Sequence, residues 1–143
     1  MKKITLNNYM TDKYYPRIVA AVERTLKSQN FVTPIAVFIA MGLLEQREVD
    51  QWRKGQISYL EKVLRFNLAK ANRILRILRF HAHELNLKPS ITVYRRHTTS
   101  GKIPLQFSKS GERNLEEAYS RHFVRPDKSR RVNTPDWQED SLF

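Results

Sequence analysis

Apolar and polar residues alternate along this chain with two different periods, and the change of period divides it into elements. From Lys13 to Lys27, Ile18, Val19, Val22 and Leu26 recur at the spacing of one helix face, with Arg17, Arg24 and Lys27 outside it, and Asn30 ends the pattern. A second helix is predicted from Thr33-Pro34, where the hydroxyl can cap an open amide and proline suits the first turn. Its body, Ile35 to Met41, is almost wholly apolar, which implies burial on several sides. Gly42 supplies a turn into a third helix, Glu45 to Lys54, with Val49 and Trp52 inward and Gly55 closing it.

The longest predicted helix starts at Ser58, which stands three residues before Glu61 as in a capping box, and runs to Asn86, with Lys88-Pro89 as its stop. At about 100° per residue, Leu60, Leu64, Leu68, Ala71, Leu75, Leu78, Ala82 and Leu85 share one stripe. Phe66, Ile77 and Phe80 fall outside it. A second element or a partner subunit must cover them, and a homodimer seam through these three is one reading.

The period then drops to two. Ile91 and Val93 alternate with Thr92 and Tyr94, Thr98 to Gly101 turns the chain, and Ile103, Leu105 and Phe107 alternate with Lys102, Pro104 and Gln106. This predicts a hairpin over residues 90–108, with Pro104 marking an edge. A last helix is expected from Ser110 or Gly111, carrying Leu115, Ala118, Tyr119 and Phe123, with Glu112 and Glu116 as solvent-facing charges near its start. The expected fold is mainly α (α+β). It comprises a compact helical domain over residues 1–124, with a long central helix and a small two-stranded β-hairpin, followed by a charged C-terminal tail at 125–143. In that tail Trp137 and Leu142-Phe143 argue for partial docking.

Composition narrows the classes. A chain of 143 residues suits one domain with a real core, and 41% hydrophobic with 28% charged residues is ordinary for a folded protein. The absence of cysteine excludes disulfides, thiolate catalysis and cysteine-held metals. No apolar run approaches the roughly 20 residues of a membrane span, and Asn7, Asn8 and Asp12 interrupt any signal-like stretch. A cytoplasmic protein without integral membrane association is expected.

Charge changes the picture most. Lysine and arginine number 26 against 14 acids, a net charge of +12, beyond the range of about 2 to 8 that solubility asks of a small domain. Residues 58–111 hold eleven of the basic groups and only two acids, whereas residues 33–57 hold three of each. Such a surface attracts nucleic acid, anionic lipid or an acidic protein, and the charge alone does not choose between them.

The segment TPIAVFIAMGLLEQREVDQWRKGQ combines a buried helix, a glycine turn and a helix with inward valine and tryptophan. Its end, Val49-Asp50-Gln51-Trp52-Arg53-Lys54-Gly55, resembles the recognition-helix ending of lambda-repressor-like helix-turn-helix proteins. The resemblance, confined to residues 33–56, implies a tryptophan anchor and contacts to bases or phosphates from Arg47, Gln51 and Arg53.

Three further basic groups are candidate contacts. Lys62, Arg65, Arg73 and Arg76 form an arc on the back of the long helix. Tyr94, Arg95, Arg96, Lys102 and Lys109 belong to an acid-free hairpin, where arginine suits phosphate and tyrosine can stack on a base. Arg130 and Arg131 lie in the tail with Arg125 and Lys128.

Chemistry is sparse. His81 and His83 are two apart on a helix, so they point about 200° apart and cannot share an ion, and no metal or cofactor motif is present. The favoured expectation is a non-enzymatic nucleic-acid-binding protein, a DNA-binding regulator or accessory factor. The alternatives are a module binding an acidic partner and a small metal-independent ribonuclease using His97, Tyr94, Arg96 and His122.

Overall fold

The first helix, α1 (Tyr15–Ser28), follows a 3₁₀ turn at Tyr9–Thr11; of its predicted face Ile18 and Val22 are buried and Val19 and Leu26 half-buried, with Ala21 joining the core. A computed structural model describes residues 3–126 and the backbone of residues 141 and 142. Strand β1 (Phe31–Val32) leads into α2 (Pro34–Ala40), where the Thr33 hydroxyl accepts from the Ala36 amide at 3.0 Å. Gly42, at φ +76°, turns the chain out of α2, and the Leu43 amide donates to the Phe38 carbonyl at 2.9 Å. The next helix, α3 (Gln46–Arg53), begins with a reciprocal box between Glu45 and Glu48 and buries Val49 and Trp52. Gly55 closes it at φ +81°.

The long helix expected from Ser58 is a shorter one. Residues Leu60–Val63 form a 3₁₀ turn, the backbone extends at Leu64, and α4 runs over Leu68–Glu84 with the Asn67 side chain accepting from the Lys70 amide at 2.9 Å. Tertiary partners break the helix: the Arg65 amide donates to the Leu43 carbonyl at 3.2 Å, and the Phe66 ring packs on Phe38 with centroids 5.2 Å apart. Glu61 is no capping-box acid. Its carboxylate accepts from the Tyr119 hydroxyl at 2.7 Å and the Lys109 amide at 2.9 Å. Leu60, Leu64, Ala71, Leu75, Leu78 and Ala82 of the predicted stripe are nonetheless buried, whereas Leu68 and Leu85, at the two ends of α4, are exposed.

Phe66, Ile77 and Phe80 find their covers within the same chain. Ile77 is fully buried, Phe66 lies on Phe38, and Phe80 packs against Tyr9 at 5.4 Å. The three residues of the expected dimer seam thus have intramolecular contacts, Phe66 with α2 and Phe80 with the N-terminal turn, while Ile77 is enclosed in the core.

After α4 come β2 (Lys88–Thr92), β3 (Arg95–Thr98), β4 (Gly101–Pro104), α5 (Arg113–Ser120), β5 (Arg121–Val124) and β6 (Ser141–Leu142). A four-stranded antiparallel sheet has the order β1-β5-β2-β6, and β3-β4 is a separate two-stranded sheet. The predicted 90–108 hairpin thus contracts to 95–104, because residues 88–92 pair with β5 instead, Ser90 opposite His122 and Ile91 opposite Arg121. Pro104 sits at the hairpin's open end, opposite Arg95.

The helix expected to reach Phe123 stops at Ser120. Beyond it, β5 fills the gap between β1 and β2, and the Arg125 amide donates to the Asn30 carbonyl at 2.7 Å. The result is a mixed α+β fold. No described helix is long and apolar enough to cross a membrane.

Candidate nucleic-acid interface

Trp52 joins α3 to the hairpin. Its indole N–H donates to the Gln106 carbonyl at 2.8 Å, and its ring packs on Phe107 and Tyr94 with centroids 4.9 and 5.8 Å away. The loop after β4 is held from a second side by Glu116, whose carboxylate accepts from the Phe107 amide at 2.9 Å and the Ser108 amide at 2.7 Å. Glu116 is therefore a loop anchor rather than the solvent-facing charge expected, while Glu112 caps α5 through the Asn114 and Leu115 amides.

This clamp brings two of the candidate groups together. The Arg96 guanidinium lies directly over Gly55, so close that a Cβ there would stand 2.8 Å from it. The Arg53 guanidinium sits 5.5 Å above the Tyr94 ring. Cross-strand pairing sets Arg95 opposite Pro104 and His97 opposite Lys102, and strand alternation puts Arg95, His97 and Lys102 on one face. All three are exposed, as are Arg53 and Lys54 at the end of α3.

The remaining candidates do not join them in one arc. Arg65 bridges Glu48 at 2.7 Å and Glu45 at 3.3 Å, and the hydrogen bond from Arg65 holds the Glu48 carboxyl below its ordinary range. Arg47 pairs with Glu45 at 3.3 Å, and Gln51 is half-buried. Arg73 is ion-paired with the buried Asp12. Arg76 donates from Nε to the Ile4 carbonyl at 2.7 Å and lies over Phe80. Lys62 and Lys109 line a separate cleft beside Glu61 and Tyr119. The arc predicted on one helix is thus divided, because the helix begins only at Leu68 and its arginines answer to acids and carbonyls brought in by tertiary contacts. Arg130 and Arg131 lie outside the described residues.

Tyr94 is not an exposed stacking platform. Its ring lies among Trp52, Phe107 and His122, and its hydroxyl hydrogen-bonds His122 Nε2 at 2.7 Å. Thr92 contacts the other ring nitrogen at 3.3 Å, and Phe31 stacks on the imidazole at 5.6 Å. Burial pushes the His122 imidazole down to about 4 and the Tyr94 hydroxyl well above its usual value. Of the four residues considered for ribonuclease chemistry, Tyr94 and His122 come together, whereas His97 stands on the exposed hairpin face. Among the described residues no three acids or histidines are grouped to hold a metal ion.

Three cations were missed from the sequence: Lys54, exposed just beyond α3, and Arg79 and Arg121. Arg79 lies three residues beyond Arg76, on the same side of α4, and was legible by helical spacing. Arg121 was hidden because its segment was expected to be helical. Comparison of the chain with protein families, curated proteins and solved structures finds no match.

Proposed function

We propose that this is a non-enzymatic nucleic-acid-binding protein, a DNA-binding regulator or accessory factor, whose contact surface is the C-terminal end of α3 together with the β3-β4 hairpin. The observation that carries the reading is the seating of the hairpin on α3. Trp52 and Arg96 lock the two elements together, and Arg53, Lys54, Arg95 and Lys102 remain exposed beside them. The hairpin contains no acid, so nothing in it repels a phosphate backbone. At the other end of α3, Glu45 and Glu48 neutralise Arg47 and Arg65, so contact is concentrated at the helix end nearer the hairpin.

Fluorescence anisotropy with labelled duplex DNA and single-stranded RNA tests this. Affinity should fall steeply between about 50 and 200 mM salt, and the double variant Arg95→Gln/Lys102→Gln should weaken binding and reduce the salt slope by about two, roughly one unit per lost phosphate contact. Arg65→Gln, which removes a cation already paired, should leave the slope unchanged. Salt-independent affinity, or equal slopes for the double variant and the parent, would overturn the reading.

A further inference from the structure

A groove of about 450 Å³ lies between Lys3-Ile4, α4 and the junction of α5 with β5. Its floor is apolar, built from Ala69, Leu75, Leu78 and Ala118, and its charged lining is wholly cationic: Lys3, Arg73, Arg76, Arg79 and Arg121. Arg73 is committed to Asp12, and the Nε of Arg76 holds the Ile4 carbonyl, which fixes the N-terminal segment as one wall. The terminal nitrogens of Arg76 and the whole guanidiniums of Arg79 and Arg121 have no hydrogen bond or ion pair among the described residues.

Arg79 lies beside Arg121 in the groove lining, close enough for its charge to act on the Arg121 guanidinium. Burial first, and then the Arg79 charge, lower the pKa of Arg121. Glu117 opposes this with the smaller effect, and its carboxylate is paired with Arg113 at 3.2 Å. Two neighbouring guanidiniums with a half-buried member and no bound acid are what an oxyanion relieves, because each offers a planar fork of donors. A cavity of this size suits a small organic ligand, since such sites span roughly 300–1,000 Å³.

We propose that the groove binds a small phosphate-bearing molecule with a flat or apolar body, its phosphate gripped by Arg76, Arg79 and Arg121 and its body resting on the apolar floor. The site is distinct from the hairpin surface. Alternation along β5 sends His122 toward Tyr94 and Arg121 to the opposite face of the sheet, so one can fail while the other stands.

Calorimetric titration of the full chain with phenyl phosphate, phenol and inorganic phosphate tests the proposal. Phenyl phosphate should bind at one site, inorganic phosphate should compete with it, and phenol should not bind. Arg79→Gln, at an exposed position, should weaken phenyl phosphate roughly tenfold or more. Ala69→Phe, which fills the groove and leaves every charge in place, should do likewise, while Arg95→Gln/Lys102→Gln should bind it as the parent does. The proposal is overturned if phenyl phosphate does not bind, if phenol binds equally well, if both groove variants bind like the parent, or if a single-stranded oligonucleotide displaces phenyl phosphate only when the hairpin is intact.

Discussion

Gly55 carries two demands at one position. It holds the left-handed backbone that ends α3, and its missing side chain makes room for the Arg96 guanidinium. Gly55→Ala should destabilise the protein by about 1–2 kcal/mol through backbone strain and should also displace Arg96 from α3. Urea unfolding would read the first effect, and the chemical shift of the Arg96 side chain the second. An unchanged unfolding midpoint would show that the strain is absorbed elsewhere. Sequence alone marked Gly55 as a helix stop, yet its contact with Arg96, 41 positions away in the chain, could come only from the docking of the hairpin.

At the scale of elements, the caps explain which predictions held. Helices α1, α2 and α3 lie where their apolar spacing, Thr33-Pro34 and the two glycines put them, since those signals act between near neighbours. Helix α4 takes its true start from Asn67, a weaker mark in the sequence than Ser58 and Glu61. Asn67→Ala should therefore cost about 1 kcal/mol and fray the first turn, which hydrogen exchange at Lys70 and Ala71 would detect, whereas Ser58→Ala should leave α4 intact. Protection at Lys70 equal to that of the parent would argue that packing, not the cap, holds the turn. The strand β5 was misread for a different reason. Arg121-His122-Phe123-Val124 is compatible with either period, and the choice fell to β1 and β2, which pair with it from remote parts of the chain.

For the whole molecule, the buried histidines set an acid limit. His122 titrates near 4 in the folded protein against an ordinary 6.5, and burial lowers His81 as well. The unfolded chain binds these protons at higher pH than the native one, so their contribution to stability is complete above about pH 6.5 and declines as pH falls toward 4. For His122 alone the loss amounts to about 3 kcal/mol. Thermal unfolding between pH 7 and pH 4 should follow this decline, and His122→Gln should make it shallower; a slope unaltered by that substitution would assign the acid sensitivity to other groups.

The sequence by itself determined the mixed α+β class, the first three helices, most of the buried apolar positions and the excess of positive charge, because periodicity, capping and composition are local or additive. Tertiary structure decided where the long helix begins, that residues 121–124 are a strand, and how the basic residues are distributed. The excess charge is divided among internal ion pairs, a hairpin clamped to α3, and a groove with two neighbouring arginines. A charge pairs with whatever the fold brings within a few ångströms, and Asp12 with Arg73 or Glu48 with Arg65 are distant in the chain until it folds.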